Sequence, residues 1–373
     1  MSFYSFYNLL LAYYQCRKKK RLTVSASRFE FYTEPEIIQL ENKLKAKVYR
    51  PDRFSVFVVT EPKIREIFAA GFSDRVVHHL LINYLLPIFE PKLIYDSYAC
   101  RKEKGAHHAI QRLSRFIQAA TMNNTHTTYY LQADIKNFFP SMKHDILYNL
   151  LIKEVKNPVI RKLIKLIIYH DCTINPEKKG QLSLFEQVPP HKSLFNVPPG
   201  QGLPIGNLTS QFFANIYLNE LDQYVKHTLK CKYYIRYVDD FIIVDKSKKN
   251  LYTFKEQIEL FLKEKLALEL HPDKWKVKNV KEGIDALGYV LKPTHILVRK
   301  RVVKTLKKKL YQFQHVPPKQ MDFPYVVSSV NSYYAHFRHA DSYQLRKHLW
   351  ETHFGILRTY LRPMHDYRFF QLR

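Results

Sequence analysis

The stretch Tyr233-Tyr234-Ile235-Arg236-Tyr237-Val238-Asp239-Asp240-Phe241-Ile242-Ile243-Val244 is apolar on both sides of an acidic centre. That pattern predicts a β-hairpin whose turn carries two carboxylates. An isolated Asp-Asp is usually a solvated turn, but here aromatic and β-branched residues flank it. A second strand, Tyr129 to Asp134, also ends in an acid and runs on into Ile135-Lys136-Asn137-Phe138-Phe139-Pro140-Ser141. Adjacent acids between apolar strands repel, unless a divalent cation sits between them and a third acid. Nucleotidyl transfer uses such an arrangement, with two Mg²⁺ ions roughly 4 Å apart. Carboxylates suit Mg²⁺, which prefers hard oxygen ligands over thiols or imidazoles.

Outward from this centre the chain reads as helices interspersed with strands. Thr209 to Lys230 is the clearest helix, with Phe212, Phe213, Ile216, Tyr217, Leu221 and Val225 on its apolar face. Leu251 to Leu266 is a second amphipathic helix and Ala286 to Val290 a short strand. Upstream, Asp74 to Phe89 has helical apolar spacing and Pro91 ends it. Residues 1 to 60 form a helical lead-in, around Leu9 to Tyr14 and Glu36 to Lys47, followed by a strand at Phe54 to Val59. The segment from Thr173 to Pro204 carries Pro176, Pro189, Pro190, Pro198 and Pro199, and is expected to be an extended insertion with no element. After Leu291 the composition turns helical and basic. The fold class is therefore α+β.

Across 373 residues, 60 Lys+Arg stand against 33 Asp+Glu, a formal charge of +27. A surplus that large repels itself unless a polyanion neutralises it, and nucleic acid is the commonest such partner. A hydrophobic content of 46% excludes a merely disordered basic tail. Cys16, Cys100, Cys172 and Cys231 are widely spaced, which supports neither a zinc ribbon nor a disulfide framework and fits a reducing, intracellular setting. The apolar start at Phe3 to Tyr14 precedes its basic cluster, Arg17 to Arg21, the wrong order for a secretory leader. No stretch has the length of a membrane span. The pairs His78-His79 and His107-His108, and His336 with His339, lack accompanying cysteines, and no zinc is assigned to them.

Tyr237 to Asp240, Asp134 to Ser141 and the run Gly202-Leu203-Pro204-Ile205-Gly206-Asn207-Leu208-Thr209-Ser210-Gln211 together resemble a reverse transcriptase. The last run resembles the diversity-generating retroelement branch in particular, as do Tyr98 to His107 and Leu287-Gly288-Tyr289 followed by Pro293-Thr294-His295. The likeness is collinear from about residue 60 to 310. It implies a right-hand polymerase fold: an N-terminal helical extension (1–60), fingers (61–133), a palm (134–290) with the Pro-rich insertion at about 173–204, and a helical basic thumb (291–373).

The resemblance also implies roles. Asp134, Asp239 and Asp240, with the Ile135 carbonyl, would hold two Mg²⁺, for which Mn²⁺ could substitute. Lys63, Arg65 and Arg101 would meet the triphosphate, through the strong charge-assisted bonds that phosphate oxygens accept. Phe139, in preference to Phe138, would block a 2′-hydroxyl and favour dNTPs. Tyr237 would lie near the primer terminus, and Lys274, with Lys276 as competitor, near the leaving pyrophosphate as a general acid. Arg299, Lys300, Arg301, Lys304, Lys307 and Lys308 would grip a duplex through its phosphates.

One position departs from the wider family, in which most members carry Pro-Gln-Gly where this chain has Pro204-Ile205-Gly206. Loss of an amide at Ile205 removes polar readout and predicts error-prone copying, unless Gln211 replaces it. The resemblance thus implies a cytoplasmic, bacterial or phage-encoded RNA-directed DNA polymerase. Its partners would be a template RNA, the RNA/cDNA duplex, dNTPs and a small basic accessory protein, its errors falling mainly at adenines. A defence-associated or group II-like enzyme is the nearest alternative. An inactive, RNA-binding version of the fold is argued against by the intact acids.

Overall fold

A computed structural model describes residues 2–18, 23–61 and 63–373, so positions 19–21 of the basic cluster lie outside the described residues. Three helices begin the chain: α1 (Phe6–Cys16), α2 (Val24–Phe31) and α3 (Thr33–Lys45). Ser5 caps the first by accepting the Asn8 N–H. Their apolar stripes, Leu9, Ala12 and Tyr13 on α1 and Ile37, Leu40 and Leu44 on α3, are buried. An antiparallel hairpin follows, β1 (Ser55–Val59) and β2 (Arg65–Ala69), then α4 (Phe72–Phe89), on which α1 packs, and α5 (Ala106–Ala120).

Strand β3 (Tyr129–Asp134) leads into the single turn α6 (Phe138–Ser141) and the helices α7 (His144–Glu154) and α8 (Pro158–Ile168). The Pro-rich insertion is more ordered than its composition predicts. Its β4 (Glu177–Lys178) adds a parallel strand to β1, and α9 (Ser183–Glu186) and two 3₁₀ turns complete it. What orders it is a buried carboxylate: Glu66 of β2 accepts from Ser193 Oγ at 2.7 Å and from the Leu194 N–H at 3.0 Å.

Helix α10 (Leu208–Gln223) precedes the hairpin β5 (Tyr233–Tyr237) and β6 (Asp240–Asp245), with α11 (Lys248–Leu266) and β7 (Lys276–Asn279) after it. The four central strands form one antiparallel sheet in the order β5-β6-β3-β7. Alternation along the strands sends Leu131, Ala133, Tyr234, Phe241 and Ile243 into the large helical core, which includes residues of α10 and α11. Tyr130, Ile235, Ile242 and Val244 face the opposite way, onto Ile110, Leu113 and Ile117 of α5. Helices thus cover both faces of the sheet.

The expected strand at Ala286 to Val290 is instead two strands, β8 (Ile284–Ala286) and β9 (Tyr289–Leu291), followed by β10 (Ile296–Val298). Leu287 and Gly288 between them both have positive φ, 50° and 91°, and so make a two-residue reversal. The C-terminal segment has its own core, in which Leu306, Val330, Tyr334, Phe354 and Phe370 are buried. Four helices supply most of it: α12 (Lys300–Gln314), α13 (Phe323–Phe337), α14 (Tyr343–His353) and α15 (Leu357–Tyr360). A closing hairpin, β11 (Leu361–Met364) with β12 (Phe369–Leu372), adds strands to a segment whose composition predicts helices alone.

Candidate active site

The ladder register brings the acids together. Asp134 lies directly across from Asp240 on β6, and Asp240 pairs with Tyr237 across the hairpin. The reversal turns on Val238, whose φ of 57° lies in the left-handed region, an outlier for a β-branched residue. The Asp239 carbonyl accepts the Ile135 N–H at 3.3 Å, and the Asp134 carbonyl accepts the His271 N–H at 2.8 Å. This second bond draws the 271–274 loop over the sheet edge, where Lys274 Nζ donates to Asp134 Oδ2 at 2.7 Å.

These acids crowd one another. Burial first, then the charge of Asp134, pushes the Asp239 carboxyl up to about 6. Desolvation, with the charges of Asp239 and Asp134, pushes Asp240 up to about 7, and its carboxyl hydrogen-bonds that of Asp134. A cation among them would reverse these shifts. Among the described residues, no three Asp, Glu, His or Cys side chains are gathered around one point as a ready metal cage. Asp134 is turned to Lys274, and Asp240 stands outside the cavity wall. The donor set still fits a hard divalent ion, because Asp134 and Asp239 share one cavity and both are carboxylates.

That cavity, of about 320 Å³, brings together Lys63, Arg65, Asp134, Ile135, Phe139, Ile205, Gln211, Asp239 and Lys274. Lys63 and Arg65 come from the β1–β2 hairpin. Phe138 and Phe139 both line the wall, but Phe138 is 2% exposed and belongs to the core, whereas Phe139 is half-buried and the more open of the two rings. The Ile205 carbonyl accepts the Phe68 N–H at 2.8 Å, so the loop before α10 is pinned to β2. Gly206 makes the approach feasible: a Cβ there would lie 2.9 Å from the Phe68 carbonyl oxygen.

Other expected residues lie elsewhere. Arg101 is not in the cavity: its Nε and Nη2 bond Glu90 Oε1 at 2.8 and 2.7 Å, and Nη1 bonds the Ile94 and Ser97 carbonyls. Its guanidinium is thus spent on bracing the 94–101 loop. Tyr237 packs against the second core cluster instead of lining the wall. Lys276 lies on β7, its ammonium 6.0 Å from the Tyr130 ring centroid. Arg299 is ion-paired with Asp285. Lys300, Lys304 and Lys308 repeat every fourth residue along the exposed side of α12, next to the exposed Arg301, whereas Lys307 is half-buried.

Sequence reasoning missed Lys192, Ala99 and Cys100, which also line the cavity. Lys192 comes from the insertion, and a single lysine among prolines gives no signal of its own.

The sequence pattern of the family described as "Reverse transcriptase (RNA-dependent DNA polymerase)" matches residues 60–291. The chain belongs to the reverse transcriptase family. Protein YkfC of Escherichia coli (strain K12) is 25% identical over 271 residues, 64% of this chain and 64% of its own length. The group II intron-encoded protein LtrA of Lactococcus lactis subsp. cremoris is 23% identical over 344 residues, 75% of this chain and 53% of its own. The chain thus spans less than two thirds of either relative. An apo telomerase from Candida tropicalis, truncated from its C-terminal domain, superposes with a TM-score of 0.47 at 12% identity, over 69% of this chain and 59% of that one. Among the described residues, no helix of this reverse transcriptase family member is long and apolar enough to cross a membrane.

Proposed function

We propose that this chain is an RNA-directed DNA polymerase that extends a primer on a template RNA with dNTPs. The observation that carries the reading is the convergence of Asp134 and Asp239, far apart in sequence, in one cavity with Lys63, Arg65 and Phe139. Asp134 and Asp239, with Asp240 and the Ile135 carbonyl alongside, are the oxygens that would hold two Mg²⁺, or Mn²⁺ in their place. Such ions, when bound, acidify the 3′-hydroxyl and neutralise triphosphate charge.

The chain's own residues do the rest. Lys63 and Arg65 bind phosphate oxygens of the incoming nucleotide. Phe139 packs against the sugar and excludes a 2′-hydroxyl. Lys274 holds a proton at Nζ next to Asp134, where it can be handed to the leaving pyrophosphate. Tyr237 supports the primer end through the hairpin. The row of Lys300, Lys304 and Lys308, with Arg299, Arg301 and Lys307, grips duplex phosphates without reading sequence.

The finer reading is a polymerase of the diversity-generating retroelement type, which copies a template repeat with errors mainly at adenines and works with a small basic accessory protein. It is supported by the run Gly202 to Gln211 and by an aliphatic Ile205 in the nucleotide cavity. Likeness to a group II intron-encoded protein favours a group II-like enzyme as the second reading.

Primer extension on RNA, with Asp239→Asn in parallel, tests the activity. Wild type is expected to make cDNA in Mg²⁺, and the variant to lose at least about a thousandfold in rate, the size of an electrostatic catalytic term of some 4 kcal/mol. Undiminished synthesis by the variant would put the chemistry elsewhere.

A further inference from the structure

Directly beneath the acidic turn lies an ion pair whose own two residues do not line the cavity, although Arg236 bonds Val238 and Asn215, which do. Arg236 and Asp222 have side chains 1% and 0% exposed. Arg236 Nε and Nη2 engage the two carboxylate oxygens of Asp222 at 2.8 and 2.6 Å, the bidentate geometry that only a guanidinium offers. The Tyr234 hydroxyl donates to the same carboxylate at 2.7 Å. Arg236 Nη1 then donates to the Val238 carbonyl at 2.9 Å and makes a longer contact, 3.4 Å, with Asn215 Oδ1. Asn215 in turn donates to the Ala99 carbonyl at 2.8 Å.

Two consecutive carbonyls at the turn are therefore pinned: Val238 by Arg236 from below, and Asp239 by the Ile135 N–H from β3. Between them sit the peptide units that carry Asp239 and Asp240. A valine at φ 57° does not hold that conformation by itself, since the left-handed region is unfavourable for a β-branched side chain. A buried ion pair, for its part, is poor value as mere stability, because well-packed apolar residues of the same volume commonly serve as well. Fixing the strained turn gives the pair a purpose.

We infer that Arg236, clamped by Asp222, is a positioning residue that holds Val238 left-handed and so sets the placement of the Asp239 and Asp240 carboxylates. Arg236 is not a catalytic residue and need never meet a nucleotide. Its effect on turnover rests on the polymerase reading, but its effect on the turn does not.

Two variants test this. Arg236→Lys keeps the charge against Asp222 but lacks the fork that reaches Asp222 and Val238 together. The triple variant Arg236→Met/Asp222→Leu/Tyr234→Phe replaces the pair by apolar groups and leaves no buried charge unpaired. Amide hydrogen exchange is read over the segments containing Ile135 and Val238 to Asp240, with Phe241 to Val244 as the internal reference. Primer-extension kinetics are measured on the same preparations. In each folded variant, exchange at the turn is expected to accelerate about tenfold relative to the reference strand. In extension, kcat is expected to fall about tenfold with little change in KM for dNTP. Adding Val238→Gly to the triple variant, which frees the turn from the β-branched penalty, is expected to restore part of kcat.

Wild-type exchange at the turn in a folded variant would overturn the inference, whatever the activity. An inactive wild type would instead sink the polymerase reading and leave the exchange result to decide this one.

Discussion

Ile205 offers the cavity an aliphatic surface at a position whose backbone is independently fixed. Its carbonyl is held by the Phe68 N–H, and the neighbouring Gly206 admits the close approach. Changing the side chain therefore changes what the cavity can hydrogen-bond, with little reason for the loop to move. One hydrogen bond to a correct pair is worth about 1 kcal/mol, or roughly fivefold in discrimination. Ile205→Gln is expected to lower misincorporation by about that factor, read by sequencing cDNA opposite each template base. Identical error spectra would show that Ile205 packs locally and that selection lies elsewhere, with Gln211 of the same cavity the next residue to change.

At the level of elements, the insertion from 173 to 204 is the segment whose part in the site changes most on folding. Glu66 of β2 grips Ser193 and Leu194, and this presents the preceding residue, Lys192, to the cavity that holds Lys63 and Arg65. Lys192, Lys63 and Arg65 then join Lys274 in lining the cavity that holds Asp134 and Asp239. Lys192→Ala is expected to raise KM for dNTP roughly threefold to tenfold while kcat stays close to wild type, the signature of lost uniform binding. An unaltered KM would assign Lys192 to the solvated surface. A thermal melt of the same variant checks that the insertion remains docked.

For the whole molecule, the joint between the sheet and the C-terminal helices is built from histidines. His107 of α5 stacks on His339 just after α13, with centroids 3.6 Å apart and planes at 15°. His336 lies 4.2 Å from the Tyr289 ring. Burial lowers the pKa of all three, helped by neighbouring positive groups: His108 and His339 on His107, Arg299 and His107 on His336, and Arg338 and His336 on His339. The folded state thus favours neutral rings, whereas the unfolded chain takes up protons near the ordinary value of 6.5. Stability from this joint is present above that value and is lost as pH falls below it. The raised carboxyls of Asp74, Asp239 and Asp240 act in the opposite sense, so the comparison must be with a variant that retains them. His107→Gln/His339→Gln is expected to show a smaller drop in Tm than wild type between about pH 7.5 and 5.5, by differential scanning fluorimetry. Parallel drops would remove the histidines from the pH response.

Periodicity and local chemistry determined much of this protein from its sequence. The apolar runs of β5 and β6 around Asp239-Asp240, the helical spacing of α4 and α10, and the acid at the end of β3 are short-range patterns that burial enforces wherever they occur. Contacts between distant segments needed the tertiary structure. Arg101 reads as a free cation until the fold sets Glu90 beside it, and Lys192 reads as linker until Glu66 anchors its turn. Nothing local marks Arg236 as a partner of Asp222, which α10 places under the hairpin. Partners of this kind are separated by 11 to 128 positions, and no local propensity encodes which charge will be buried against which. The physical reason is desolvation: a charge acquires a fixed role only when packing removes water from it, and packing belongs to the whole chain.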